Sequence, residues 1–331
     1  MRRMKIMSAD CIHKKTGVIS KIKYVLAAIA AVAVIIVLSR AAGPSASSET
    51  SAVFNMFHSK GSNAVYGITL DNVTAHNVDA SVAAIRKMSV KPTVRVVLDP
   101  DRTAKSYAPS LLKLHKVAYI MLCPCDSSFM KNYPTVKAYH ERFAECTKFL
   151  AKYVDIWEVG NEVNGEGWLG GTSETISARI YDAYKYIDSK GYKTELTPYS
   201  FKPGDQSMTM EAWLGKYIPG DMKKGLDYVM ISYYDDDNDG LHDQWKTTFY
   251  NLHNMFPKAK LGFGECGFSK PHKAGKEFNK QVAAYYKMER YNSSYVGGYF
   301  WWYWQEDCVP AAGNSRWSRI NQACSYMSKN L

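Results

Sequence analysis

The chain has 331 residues, 46% of them hydrophobic and 22% charged, with a formal net charge of +11. That length accommodates one large α/β domain with a tail. The charge is concentrated at the start, where residues 1–43 carry Arg2, Arg3, Lys5, Lys14, Lys15, Lys21, Lys23 and Arg40 against Asp10 alone. The remainder is close to neutral for its size and has no basic run interleaved with aromatics, which argues against a nucleic-acid partner.

Residues 1–23 form a basic leader expected on the cytoplasmic side. "YVLAAIAAVAVIIVL", Tyr24 to Leu38, follows as an uninterrupted apolar run between Lys23 and Arg40. It is short for a spanning helix and close to the upper size of a signal-peptide core, so residues 24–42 read as either a cleaved signal core or a retained membrane anchor. Both readings send the rest of the chain outside the cytoplasm, secreted or tethered to the membrane. Residues 43–59 open with "GPSASSETSA", small and polar as a linker should be.

From residue 60 to 331 the pattern is that of one domain. Apolar, β-branched runs occupy 65–71, 93–99, 118–125, 154–162, 194–200, 227–234, 259–265 and 297–304. Between them lie stretches with helical spacing, such as 78–88, 136–153, 174–190 and 277–291. Eight strands alternating with helices predict a (β/α)8 TIM barrel, a single domain preceded by the N-terminal membrane segment. An open doubly wound sheet is the alternative, but no Gly-x-Gly-x-x-Gly turn follows the first strand.

Six cysteines fall in this domain. Cys308 and Cys324 flank a polar loop and are the expected disulfide, whereas "CPC" at 123–125 is too tight for a zinc site. "DDDNDG" at 235–240 opens like a calcium loop, but Lys246 stands where a bidentate Glu is needed, so these acids read as a polar rim. No metal and no cofactor is expected.

In a TIM barrel the reacting groups come from the carboxyl ends of the strands. Strand 4 ends in Asn161 and Glu162, strand 7 in Glu265, and strand 8 carries Trp301, Trp302 and Trp304. Strand 1 ends in Asp71, strand 2 carries Arg95, and strand 6 ends in Tyr233 and Tyr234. Two carboxyls facing each other across the mouth are what glycosidic bond cleavage requires. Glu158, four residues before Glu162, lies about 13 Å down the strand and belongs to the barrel floor. Glu166 and Glu195 fall in or beside loops and read as solvated charges.

This set resembles glycoside hydrolase clan A, the retaining (β/α)8 glycosidases, over residues 60–310. "EVGNEVNG" and "ISYY" are also similar to endo-β-1,4-galactanases, and "WEVGNE" to xylosidase-like members. The resemblance implies that Glu162 is the general acid/base and Glu265 the nucleophile. It implies that Asn161 binds the sugar 2-hydroxyl, that Arg95 and Tyr234 support Glu265, and that Trp302, with Trp304 or Trp168, forms the apolar floor under a pyranose. The sequence departs from the pattern at Ser232, where some clan members carry His. The implied function is an exported retaining glycosidase cleaving β-linked polysaccharide in endo fashion; the alternative is a non-catalytic carbohydrate-binding barrel.

Overall fold

The computed structural model describes residues 64–331 except Glu166, Pro203 and residues 240–243. The basic leader, the apolar run and the linker expected before residue 60 lie outside the described residues. Among the described residues no helix is long and apolar enough to cross a membrane.

Eight strands form the barrel: β1 (Val65–Leu70), β2 (Thr93–Val97), β3 (Tyr119–Cys123), β4 (Ile156–Asn161), β5 (Lys193–Thr197), β6 (Tyr228–Tyr233), β7 (Lys260–Cys266) and β8 (Tyr295–Trp301). Each runs parallel to the next and β8 closes on β1. Such strands are covered on both faces, which is why they are almost continuously apolar. The helices are α1 (Val78–Ile85), α2 (Ala104–Leu114), α3 (Val136–Leu150), α4 (Ser173–Asp188), α5 (Met210–Tyr217), α6 (Gly220–Gly225), α7 (Trp245–Met255), α8 (Gly275–Tyr286), α9 (Trp304–Cys308) and α10 (Ser315–Asn330).

The helices follow from their spacing and caps. In α3 the buried residues are Tyr139, Arg142, Phe143, Cys146 and Leu150, one face of a 3.6-residue repeat, and the Thr135 hydroxyl accepts from Ala138 N at 3.1 Å. In α4 the buried face is Ile176, Arg179, Ile180, Ala183, Tyr184 and Ile187, with Thr172 as the cap.

Three expectations are corrected. The eighth strand ends at Trp301, not Trp304. It begins at Tyr295, two residues before the expected start, and past Trp301 the chain turns into α9, which Trp304 opens with its side chain fully buried. A ring with no exposed face cannot carry a sugar, so Trp304 is core. The Cys308–Cys324 bridge is not formed: all six cysteines of the barrel are free and buried, and the loop that suggested a bridge is spanned by helix packing instead. Glu195 is not a solvated charge but a fully buried residue of β5, in register with Glu158 of β4 and on the same inner face.

Close packing also explains the glycine before the Asn-Glu pair. A methyl group on Gly160 would lie 2.6 Å from Val163 Cγ1 and 2.8 Å from Ile180 Cγ2, so α4 could not sit this near to β4. Gly160→Ala should therefore destabilise the barrel by about 1–3 kcal/mol, the usual cost of overpacking. Denaturant unfolding followed by circular dichroism checks this, and an unchanged midpoint would contradict it.

Candidate active site

The site is built around Arg95, which points into the barrel from β2 and is fully buried. Its Nε donates to Glu158 Oε2 at 2.7 Å and its Nη2 to Glu158 Oε1 at 2.9 Å, a bidentate pair on the floor. Its Nη1 lies 2.9 Å from Glu265 Oε2, at an angle that makes an ion pair but not a good hydrogen bond. One guanidinium thus serves two carboxylates on β4 and β7.

Glu265 is surrounded by donors. Tyr234 Oη donates to its Oε1 at 2.6 Å and Asn161 Nδ2 to its Oε2 at 3.4 Å. The Asn161 amide is fixed in that sense because its Oδ1 accepts from Ser127 N at 2.9 Å. Burial pushes the Glu265 carboxyl well above its ordinary range; Arg95 and the Tyr234 hydrogen bond pull it down, while the charge of Glu162 pushes it up.

Glu162 has different company. Ser232 Oγ donates to Oε1 at 2.8 Å and Ser127 Oγ to Oε2 at 2.6 Å. Both serines are buried. Burial pushes the Glu162 carboxyl up from 4.5 to about 7, against the lowering effect of the two serines. Ser232 therefore acts on Glu162 and not on Glu265.

The pair will not readily carry two charges, and the hydrogen-bond inventory shows where one proton goes. Glu265 Oε2 faces a guanidinium and an amide N–H, neither of which can accept a hydrogen bond. The serines at Glu162 can accept as well as donate, so Glu162 takes the proton without losing a partner. Protonation of Glu162 also removes the charge that raises Glu265. The two surroundings thus differ in kind: a proton on Glu162 costs it no partner, whereas one on Glu265 Oε2 does.

Why Asn161 and Glu162 can be adjacent is a backbone matter. Successive residues of a strand point to opposite faces, yet both of these side chains reach the cleft. Glu162 has φ of 49°, in the left-handed region, which breaks the alternation just past the end of β4. Such a conformation costs on the order of 1–3 kcal/mol in a non-glycine residue and tends to be kept at functional sites. The Glu162 carbonyl is held by Gly165 N at 2.8 Å.

Of the expected sugar-contacting residues, Trp302 is half-buried and lies over Arg95, its ring centroid 5.5 Å from the guanidinium carbon. Trp168 is half-buried on the β4–α4 loop, edge-to-face with Tyr199. Glu166 lies outside the described residues. Glu195 accepts from Thr197 Oγ1, and burial together with the charge of Glu158 pushes its pKa far up, so it stays neutral.

The sequence reading missed Ser127, Tyr199 and Glu306. Asp71, past β1, and Glu306 on α9 face each other closely enough for their charges to interact, and burial pushes both carboxyls up, Glu306 to about 7. Nothing in the local sequence marks Ser127 or Glu306, because their roles arise from residues distant along the chain. The acids of the 235–239 stretch are turned to other partners: Asp239 to Lys202, and Asp236 to Ser269 and Lys273. Among the described residues no group of His, Cys, Asp or Glu is arranged to hold a metal ion.

No protein-family model and no curated protein matches this chain. Solved structures do. A glucosidase from Croceicoccus marinus aligns over 81% of this chain and 68% of its own length, with TM-score 0.54 and 12% identity. Gas2 of Saccharomyces cerevisiae, bound to one small compound, aligns over 81% of this chain and 65% of its own with TM-score 0.52 and 15% identity. A second Gas2 complex gives TM-score 0.50 at 15% identity, covering 79% of this chain, which spans 64% of that protein's length. At this identity the likeness is one of fold, shared between this (β/α)8 barrel and these structures.

The serine contacts make a direct prediction. The Glu162 carboxyl, followed by carbon NMR in labelled protein, should titrate near 7. Ser232→Ala removes a donor that favours the anion, so the value should rise. A fall, or no change, would mean that the hydrogen bond does not act on Glu162.

Proposed function

We propose that this chain is an exported retaining glycoside hydrolase that cleaves β-linked polysaccharide by double displacement, in endo fashion. The observation that carries the reading is the pair Glu162 and Glu265, placed by β4 and β7 in one cleft, the first between two serine hydroxyls and the second against Arg95 and Tyr234, surroundings that suit an acid and a nucleophile.

In the first step a Glu265 oxygen attacks the anomeric carbon as the bond from that carbon to the leaving oxygen breaks. Glu162 delivers its proton to that oxygen, so the departing sugar leaves as a neutral alcohol. Arg95 and Tyr234 hold the attacking carboxylate in place, and Asn161, whose amide already faces Glu265, is within reach of the sugar's 2-hydroxyl. Trp302 offers a half-exposed indole face to the ring in this subsite. In the second step Glu162, now a carboxylate, removes a proton from water while the water oxygen attacks the anomeric carbon. The bond to Glu265 breaks, and two inversions give net retention. Because the first step needs the protonated form of Glu162, turnover falls as the pH rises through the pKa of that group.

Reducing-sugar release from a panel of β-glucans, mannans, xylans and galactans tests the activity. Glu265→Gln should lower turnover by roughly a thousandfold or more while leaving the circular dichroism spectrum unchanged. Near-native turnover in a folded Glu265→Gln protein would end the assignment. Proton NMR of the first-formed product should show the β-anomer; an initial α-anomer would replace double displacement by single displacement.

A further inference from the structure

A row of three half-buried aromatic side chains runs beside Glu162: Trp168, Tyr199 and Phe201. Trp168 and Tyr199 are 6.0 Å apart between centroids at 90°, and Tyr199 and Phe201 6.0 Å apart at 27°. We propose that this row is a platform for the sugar on the leaving side of the scissile bond. The proposal rests on the hydrolase reading above and names the part of the substrate that this side of the cleft binds.

Position is the first argument. In double displacement the acid protonates the leaving oxygen, so the departing sugar must lie on the acid's side of the cleft. Trp302 belongs to the other side, over Arg95, which pairs with Glu265. Trp168 belongs to the acid's side, because its indole lies directly on Gly165. A methyl group at Gly165 would meet Trp168 Cζ2 at 2.0 Å, so glycine is what lets the ring settle there. Gly165 N in turn donates to the Glu162 carbonyl. The platform and the acid are thus anchored to the same turn.

Fixation is the second. Asn164, buried in that turn, clamps the backbone of Tyr199 with two bonds of 2.8 Å, Nδ2 to Tyr199 O and Tyr199 N to Oδ1. The Tyr199 hydroxyl accepts from Asn238 Nδ2 at 3.3 Å, and Asn238 is itself buried, donating to Tyr234 O and accepting from Lys202 N. The phenol is therefore held from both ends, and among the described residues its own proton has no acceptor. Rigid aromatic faces with one free polar donor are what a pyranose, with an apolar face and a rim of hydroxyls, requires. A substrate with a large leaving sugar is the one that uses such a surface, which favours chain cleavage over release of a small aglycone.

The test compares two substrates of the sugar that the panel identifies: an oligosaccharide, whose leaving group is a sugar, and the methyl β-glycoside of the same glycone, whose leaving alcohol needs the same proton from Glu162 but is no sugar. Trp168→Ala and Tyr199→Phe should each lower the ratio of oligosaccharide to methyl glycoside kcat/KM, Trp168→Ala by about tenfold or more. An unchanged ratio, including an equal loss on both substrates, would overturn the proposal, since it would show that the row only supports Glu162 or the loops. Oligosaccharide binding measured calorimetrically gives a second readout. If wild-type protein turns over neither substrate but Trp168→Ala weakens oligosaccharide binding, the hydrolase reading falls and the platform stands; if Trp168→Ala binds as wild type does, the platform falls.

Discussion

The site depends on one shared guanidinium. Arg95 is fully buried and divides its charge between Glu158, which it grips with two hydrogen bonds, and Glu265, which it approaches with a third nitrogen. Because Glu158 takes the better geometry, Glu265 is left only partly compensated in a buried place. A carboxylate in that condition is anchored but not quenched, which suits the nucleophile role proposed for it. Breaking a buried pair of this kind is costly, because the surviving charge has no solvent to turn to. Arg95 is therefore both the keystone of the barrel floor and the anchor of Glu265.

Neutral Glu195 completes the balance. It stands beside Glu158 on the inner face and contacts the same Thr197 hydroxyl, which also donates to Glu158 at 2.9 Å. One hydroxyl proton cannot satisfy two carboxylates at once, so the arrangement holds when Glu195 keeps a proton of its own. The barrel interior thus tolerates several acidic residues around one arginine by leaving only some of them charged.

The fold was legible because its signal is repeated: eight apolar runs at regular intervals leave little alternative to a closed parallel barrel. Asn161, Glu162, Glu265, Arg95 and Tyr234 were legible because strand ends face the mouth in this architecture, and the structure brings these five together. What the sequence hid was contact between distant residues. Ser127 meets Glu162 across 35 positions and Ser232 across 70, and neither carries a local signature. Glu195 was misread because a lone Glu near a turn is ordinarily solvated, while strand register places it inside. Trp304 was misread because an aromatic run gives no hint of where it stops being a strand, and here β8 ends at Trp301 and α9 begins at Trp304.

The cysteines carry a consequence of their own. All six in the barrel are buried and unpaired, and burial raises their thiol pKa values, to about 12 for Cys146 and Cys324. Since the thiolate is the species that attacks oxidants and disulfides, thiols held this far above neutral pH are nearly inert. Among the described residues no disulfide holds the barrel, so side-chain packing, the ladder of strand hydrogen bonds and the buried Arg95–Glu158 pair carry that task.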